Sequence, residues 1–165
     1  AELNILISGD QVIPRITSNV SVSPMEPTAN PLRAWLSSHE KFIQQLPADA
    51  LVLPAHNTPF TGLHHRLRYL IQHHEDHLLA LEEACQEPKT ALELLPVLFK
   101  RKLDESQIGL ALGECVAHLN YLTWRGQFQR QEDEDGRYRF LSVDDTLAQR
   151  LHPGGIAQND GPMEV

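Results

Sequence analysis

Two short motifs, Ser8-Gly9-Asp10 and Leu53-Pro54-Ala55-His56, constrain this chain more than any bulk property does. Each closes an apolar, strand-like run: Leu3-Asn4-Ile5-Leu6-Ile7 for the first, Ala50-Leu51-Val52-Leu53 for the second. In α/β folds the functional site gathers where strand ends meet loops. A lone Asp and a lone His placed just past two strand ends are a recurrent way to aim ligands at a metal. Two ligands do not complete such a site, because a catalytic zinc takes about three protein ligands plus water. The remainder must therefore come from elsewhere, and the chain begins inside what reads as a buried strand.

The first half alternates strand and helix. Residues 15–31 hold Pro24, Pro27 and Pro31 and are expected to be irregular. Asn30 then caps a helix with Pro31 in its first turn. Leu32, Trp35, Leu36, Phe42, Ile43 and Leu46 recur at helical spacing, and Pro47 ends the helix. A short strand over 50–53 and a loop over 54–62 follow. A second helix over about 63–86 carries Leu63, Leu67, Leu70, Ile71, Leu78, Leu81 and Cys85 on one stripe.

Glu87-Pro88 is the expected domain boundary. Beyond it Thr90-Ala91-Leu92-Glu93 has the form of a capping box, opening a short helix to about 99. A charged turn over 100–105 leads to a longer helix over 107–125, with Ile108, Leu112, Cys115, Leu119 and Leu122 expected inward. Residues 128–132 and 137–141 alternate at period two around Asp135-Gly136, a strong hairpin signal. Helix, helix, hairpin is the outline of a winged helix, whose first helix could instead be the end of the preceding long one. The domains are thus read as 1–87, 88–141 and a tail over 142–165, with one helix expected over 144–151 before a fraying end.

A chain of 165 residues with 41% apolar and 22% charged residues reads as a globular protein. No run approaches the ~20 apolar residues of a membrane span, and no basic n-region precedes the first apolar stretch, so a cytoplasmic location without membrane partners is expected. Cys85 and Cys115 fall on apolar helical faces and read as buried thiols, although sequence leaves a disulfide between them open. The formal charge of −8 argues against a general nucleic-acid binder. Acidic and basic residues balance over 88–141, so the second domain is neutral rather than basic.

Taken in order, Ser8-Gly9-Asp10-Gln11-Val12-Ile13-Pro14-Arg15-Ile16, Leu51-Val52-Leu53-Pro54-Ala55-His56 and Gly62-Leu63-His64-His65-Arg66 resemble the C-terminal half of a metallo-β-lactamase-fold hydrolase. The closest subgroup is the glyoxalase II-like hydrolases with an appended winged helix, and the resemblance runs from about residue 3 to 141. It implies an α/β fold: part of an αββα layer, followed by a mostly helical winged-helix domain. It also implies two divalent metal ions, usually zinc, with Asp10 as the bridging ligand and His56 as a ligand of the second ion. No catalytic or substrate-binding residue is assigned. The family commonly has Gly on each side of the late His, where this chain has Ala55 and Asn57. Its upstream His-x-His-x-Asp-His motif is missing from the sequence.

The chain is accordingly expected to be the C-terminal portion of a longer hydrolase, inactive and without stoichiometric metal on its own. Its intact form would cleave a thioester, lactone or similar ester. The absent N-terminal half would cover an apolar sheet face that otherwise favours a homo-oligomer. Two other readings are an endoribonuclease of the same superfamily and a non-enzymatic winged-helix module. Both are weakened by the lack of a basic track, since the expected recognition helix offers Glu114 and almost no basic side chains. Gln72-His73-His74-Glu75-Asp76-His77 superficially matches the upstream metal motif but lies mid-helix. For these histidines, as for His39 and His118, core packing and surface hydrogen bonds are the expected roles. His64 and His65 follow the ligand loop, and either a cap or a place beside the site is expected for them.

Overall fold

The computed structural model describes residues 4–144. Along the chain it has β1 (Ile5–Gly9), α1 (Pro31–Gln45), β2 (Leu51–Pro54), α2 (Leu63–Ala84), α3 (Ala91–Leu98), α4 (Glu105–Trp124), β3 (Phe128–Glu132) and β4 (Tyr138–Ser142). Strands β1 and β2 pair in parallel, with Ile5 opposite Leu51 and Ile7 opposite Leu53. A parallel pair needs a long crossover, and the segment through α1 provides it. Leu6 and Val52 turn towards the helices, whereas Ile7 is 81% exposed on the opposite face beside Ile5 and Leu51.

The helices form one core because their apolar stripes face each other. Leu32 and Leu36 of α1, Leu67 and Leu81 of α2, Leu94 of α3 and Leu119 of α4 are all buried in a single cluster. Each such leucine contributes roughly 1.5–3 kcal/mol of transfer free energy. Asn30 caps α1 by accepting from the Arg33 amide, and Thr90 and Glu93 form the expected capping box on α3. Cys85 and Cys115 are free and buried. The antiparallel pair β3–β4 extends through a bridge between Lys89 and Phe140.

Several expectations shift. Strand β1 continues through Ser8 to Gly9, because Gly9 still finds a partner in Pro54. Helix α4 begins at Glu105, inside the expected charged turn. Asp104 accepts from the Gln107 amide while the Gln107 side chain reaches back to the cap, a second capping box. This early start leaves the first turn of α4 projecting, so Ile108 is 38% exposed instead of inward. Strand β4 runs one residue later than expected. The helix expected over 144–151 lies, beyond its first residue, outside the described residues.

The irregular stretch after β1 is a strap sewn onto α4. The Val22 amide donates to the Gly113 carbonyl, and the Asn120 side chain donates to the carbonyls of Pro27 and Ala29. Asn19 donates to Glu114, which is buried instead of lying on a presented surface. A Cβ at Gly113 would meet the Val22 carbonyl oxygen at 3.1 Å and the Ser21 Cβ at 3.0 Å, whereas one at Gly109 would meet nothing. Replacing Gly by Ala in a helix ordinarily stabilises by about 1 kcal/mol, and overpacking costs about 1–3 kcal/mol. Urea unfolding should therefore show Gly109→Ala more stable than the parent and Gly113→Ala less stable. Equal stabilisation by both would mean that the strap yields.

Candidate metal centre

The parallel pairing of β1 and β2 places their C-terminal ends side by side, and both motif residues emerge there. Gly9 has φ +55°, a left-handed backbone that turns the chain sharply out of β1. The Gln11 amide closes the turn on the Ser8 carbonyl, and the Ser18 hydroxyl donates to the Asp10 carbonyl. On the other side, Val52 and Phe60 bridge to close the loop carrying His56. The Ala55 amide donates to the Gly9 carbonyl at 2.9 Å and ties the two loops together.

Asp10 and His56, 46 residues apart in sequence, meet with Nδ1 of the imidazole 2.5 Å from Oδ1 of the carboxylate. Nδ1 donates to the carboxylate, so a neutral His56 ring carries its lone pair on Nε2. Both side chains are open to solvent, at 65% and 60% exposure for His56 and Asp10. A carboxylate oxygen beside an imidazole whose Nε2 keeps its lone pair supplies the two donor types that zinc takes. Among the described residues no third His, Cys, Asp or Glu completes a ligand group with this pair.

Asn57, directly after His56, has φ +69°. Asn enters the left-handed region more readily than other residues with a Cβ. The backbone there thus keeps a conformation that glycine adopts freely, although Asn adds a side chain. His64 donates to the Leu46 carbonyl and so is spent on the backbone, and His65 is exposed. Arg66 donates to the carbonyls of Ile13 and Ile16, fixing the start of the strap against α2.

A second histidine cluster lies elsewhere. His74, His77 and His118 each bring a ring nitrogen within 4.8 Å of the others. His74 and His118 are 0% exposed, as core packing predicts. His77 is half-buried, and its Nδ1 has no hydrogen-bond partner. The i, i+3 spacing of His74 and His77 was visible in the sequence, but the third member sits on another helix. Burial lowers the pKa of His74 to about 2, helped by the neighbouring His118, and that of His77 and His118 to about 4.

Comparison with known proteins agrees with this architecture. Residues 78–143 match the family described as metallo-beta-lactamase-like, C-terminal domain. The fold resembles that of a beta-lactamase domain protein from Burkholderia ambifaria, with a TM-score of 0.81 and 42% identity over 84% of this chain and 41% of that one. It also resembles a metallo-beta-lactamase family protein from Thermus thermophilus, with a TM-score of 0.69 and 29% identity over 84% of this chain and 42% of the other. The chain thus spans about two fifths of the length of each. No curated protein matches it. The mixed α/β structure is metallo-beta-lactamase-like. No helix among the described residues is long and apolar enough to cross a membrane.

Proposed function

We propose that this chain is the C-terminal part of a dizinc hydrolase of metallo-beta-lactamase type, acting on a thioester, lactone or similar ester. One observation carries the reading: Asp10 and His56 leave adjacent strand ends and touch at 2.5 Å. In the intact protein Asp10 and His56 would hold the metal centre together with ligands supplied from outside this chain. Bound divalent ions supply Lewis-acid chemistry and a nucleophile at neutral pH. The chain's own contribution is positional. The Gly9 turn, the Ala55–Gly9 hydrogen bond and the Arg66 clamp hold the two side chains at one end of the sheet.

The exposed face carrying Ile5, Ile7 and Leu51 is the seam for the rest of the sheet. In this reading the end of α2, α3, α4 and the β3–β4 hairpin form a winged helix, and the Lys89–Phe140 bridge supplies the short strand such domains add to the wing. Nucleic-acid reading is disfavoured, because α4 contains no Lys or Arg and the strap covers part of it. The intact protein should hydrolyse a thioester or lactone panel, lose that activity to a zinc chelator and regain it with added zinc. Activity indifferent to chelation, or preference for an RNA substrate, would overturn the proposal.

A further inference from the structure

We propose that His74, His77 and His118 form a second metal site, separate from the Asp10–His56 pair, that takes one late transition-metal dication of the zinc class. The three ring nitrogens lie within 4.8 Å of one another. Tetrahedral zinc with bonds of 2.0–2.1 Å sets its nitrogens about 3.3 Å apart. His74 Nδ1 and His118 Nε2, at 2.9 Å, need only separate slightly, and His77 closes in from one helical turn along α2.

The hydrogen bonds define which atoms are available. Nδ1 of His118 faces the Glu114 carbonyl at 2.8 Å and must be the donor. A neutral His118 therefore presents the lone pair of Nε2 to the cluster. A ring nitrogen held by a backbone carbonyl while the other faces the ion is the usual outer partner of a metal-binding histidine. His74 then donates from Nδ1 to His118 Nε2, leaving its Nε2 buried without a partner. His77 Nδ1 is equally without one. Two orphaned ring nitrogens in one buried cluster are an unusual cost for a folded protein.

An incoming ion needs only a change of tautomer at His74. The His74 proton moves from Nδ1 to Nε2 within the ring, so His74 Nδ1 and His118 Nε2 both offer lone pairs and no net charge is released. Burial keeps all three rings neutral at physiological pH, the state in which imidazole binds metal. Three nitrogens with no carboxylate or thiolate select zinc, copper or nickel over calcium and magnesium. His77 is the partly exposed member, so the ion enters past it, and water takes the fourth position.

The test uses the whole 165-residue chain, with Asp10→Ala and His56→Ala introduced together to remove the other candidate ligands. Equilibrium dialysis against zinc alone should give one equivalent bound, and cobalt should give the strong visible absorption of four-coordinate geometry. His77→Gln, which alters only the half-buried ligand, should weaken zinc binding at least tenfold without loss of the helical circular dichroism signal. His118→Asn should do the same, if it folds. Zinc below stoichiometric occupancy, or affinity unchanged in His77→Gln, overturns the site. Neither result bears on the ester-hydrolase reading, because both Asp10 and His56 are already gone.

Discussion

If the proposed function holds, replacing Asp10 with Ala in the intact protein lowers kcat/KM for ester hydrolysis at least about 100-fold and removes bound zinc. Loss of an outer partner of a metal ligand already costs 10–100-fold, and loss of the direct ligand proposed here should exceed that range. On the proposed ligand assignment, His56→Ala should cost less metal than Asp10→Ala, yet a comparable amount of activity. The structural basis is their shared position at the C-terminal end of β1–β2. Metal analysis of the purified variants alongside the rate of ester hydrolysis checks both statements. Full zinc content together with full activity in Asp10→Ala would remove the carboxylate from the metal centre.

Acid should unfold the metal-free chain earlier than its carboxylates alone would dictate. Burial lowers the folded pKa of His74 to about 2 and of His77 and His118 to about 4, against an ordinary value of 6.5. The unfolded chain therefore binds more protons below pH 6.5, and stability falls as pH drops from there towards 4. Each buried neutral histidine removes about 1.4 kcal/mol per pH unit in that window. Glu114 works in the opposite sense. Burial raises its pKa to about 7, with the Asn19 hydrogen bond partly offsetting this, so its stabilising contribution is present at low pH and lost as pH rises through 7.

One carboxyl opposes three histidines, and His39 and His73, also lowered by burial, side with the three. The charged neighbours Asp76 and Lys100 act on His77 in opposite directions. Counting only the fully buried His74 and His118 against Glu114, about 3 kcal/mol should be lost between pH 7 and pH 4. That is a large share of a typical domain stability of 5–15 kcal/mol. Urea midpoints measured across the range would show it, and His74→Phe should flatten the profile. Midpoints unchanged down to pH 4 would mean that these rings are charged in the folded state.

What the sequence revealed follows from how local each signal is. Asn30 before Pro31, Thr90 three residues before Glu93 and Asp135-Gly136 between alternating runs are complete within a few residues, and each forms the element expected. The meeting of Asp10 and His56 was legible because parallel strands bring their ends together regardless of the intervening chain. The Asp104 box was missed because its residues sit in a charged cluster that also reads as a turn. The histidine cluster was missed because His118 lies 44 residues from His74, and no periodicity in α2 or α4 alone reveals which faces will meet. In the sequence the strap shows only prolines and no periodicity. Its order comes from hydrogen bonds to α4, whose partners lie about 90 residues away.

That strap begins immediately after Asp10 and is fastened at Gly113, Glu114 and Asn120. It works as a tether of fixed length between the last long helix and the aspartate. A distant change that tilts α4 would pull on the chain that leads back to Asp10 without touching the His56 loop, so substitutions on α4 should disturb the Asp10–His56 contact from afar.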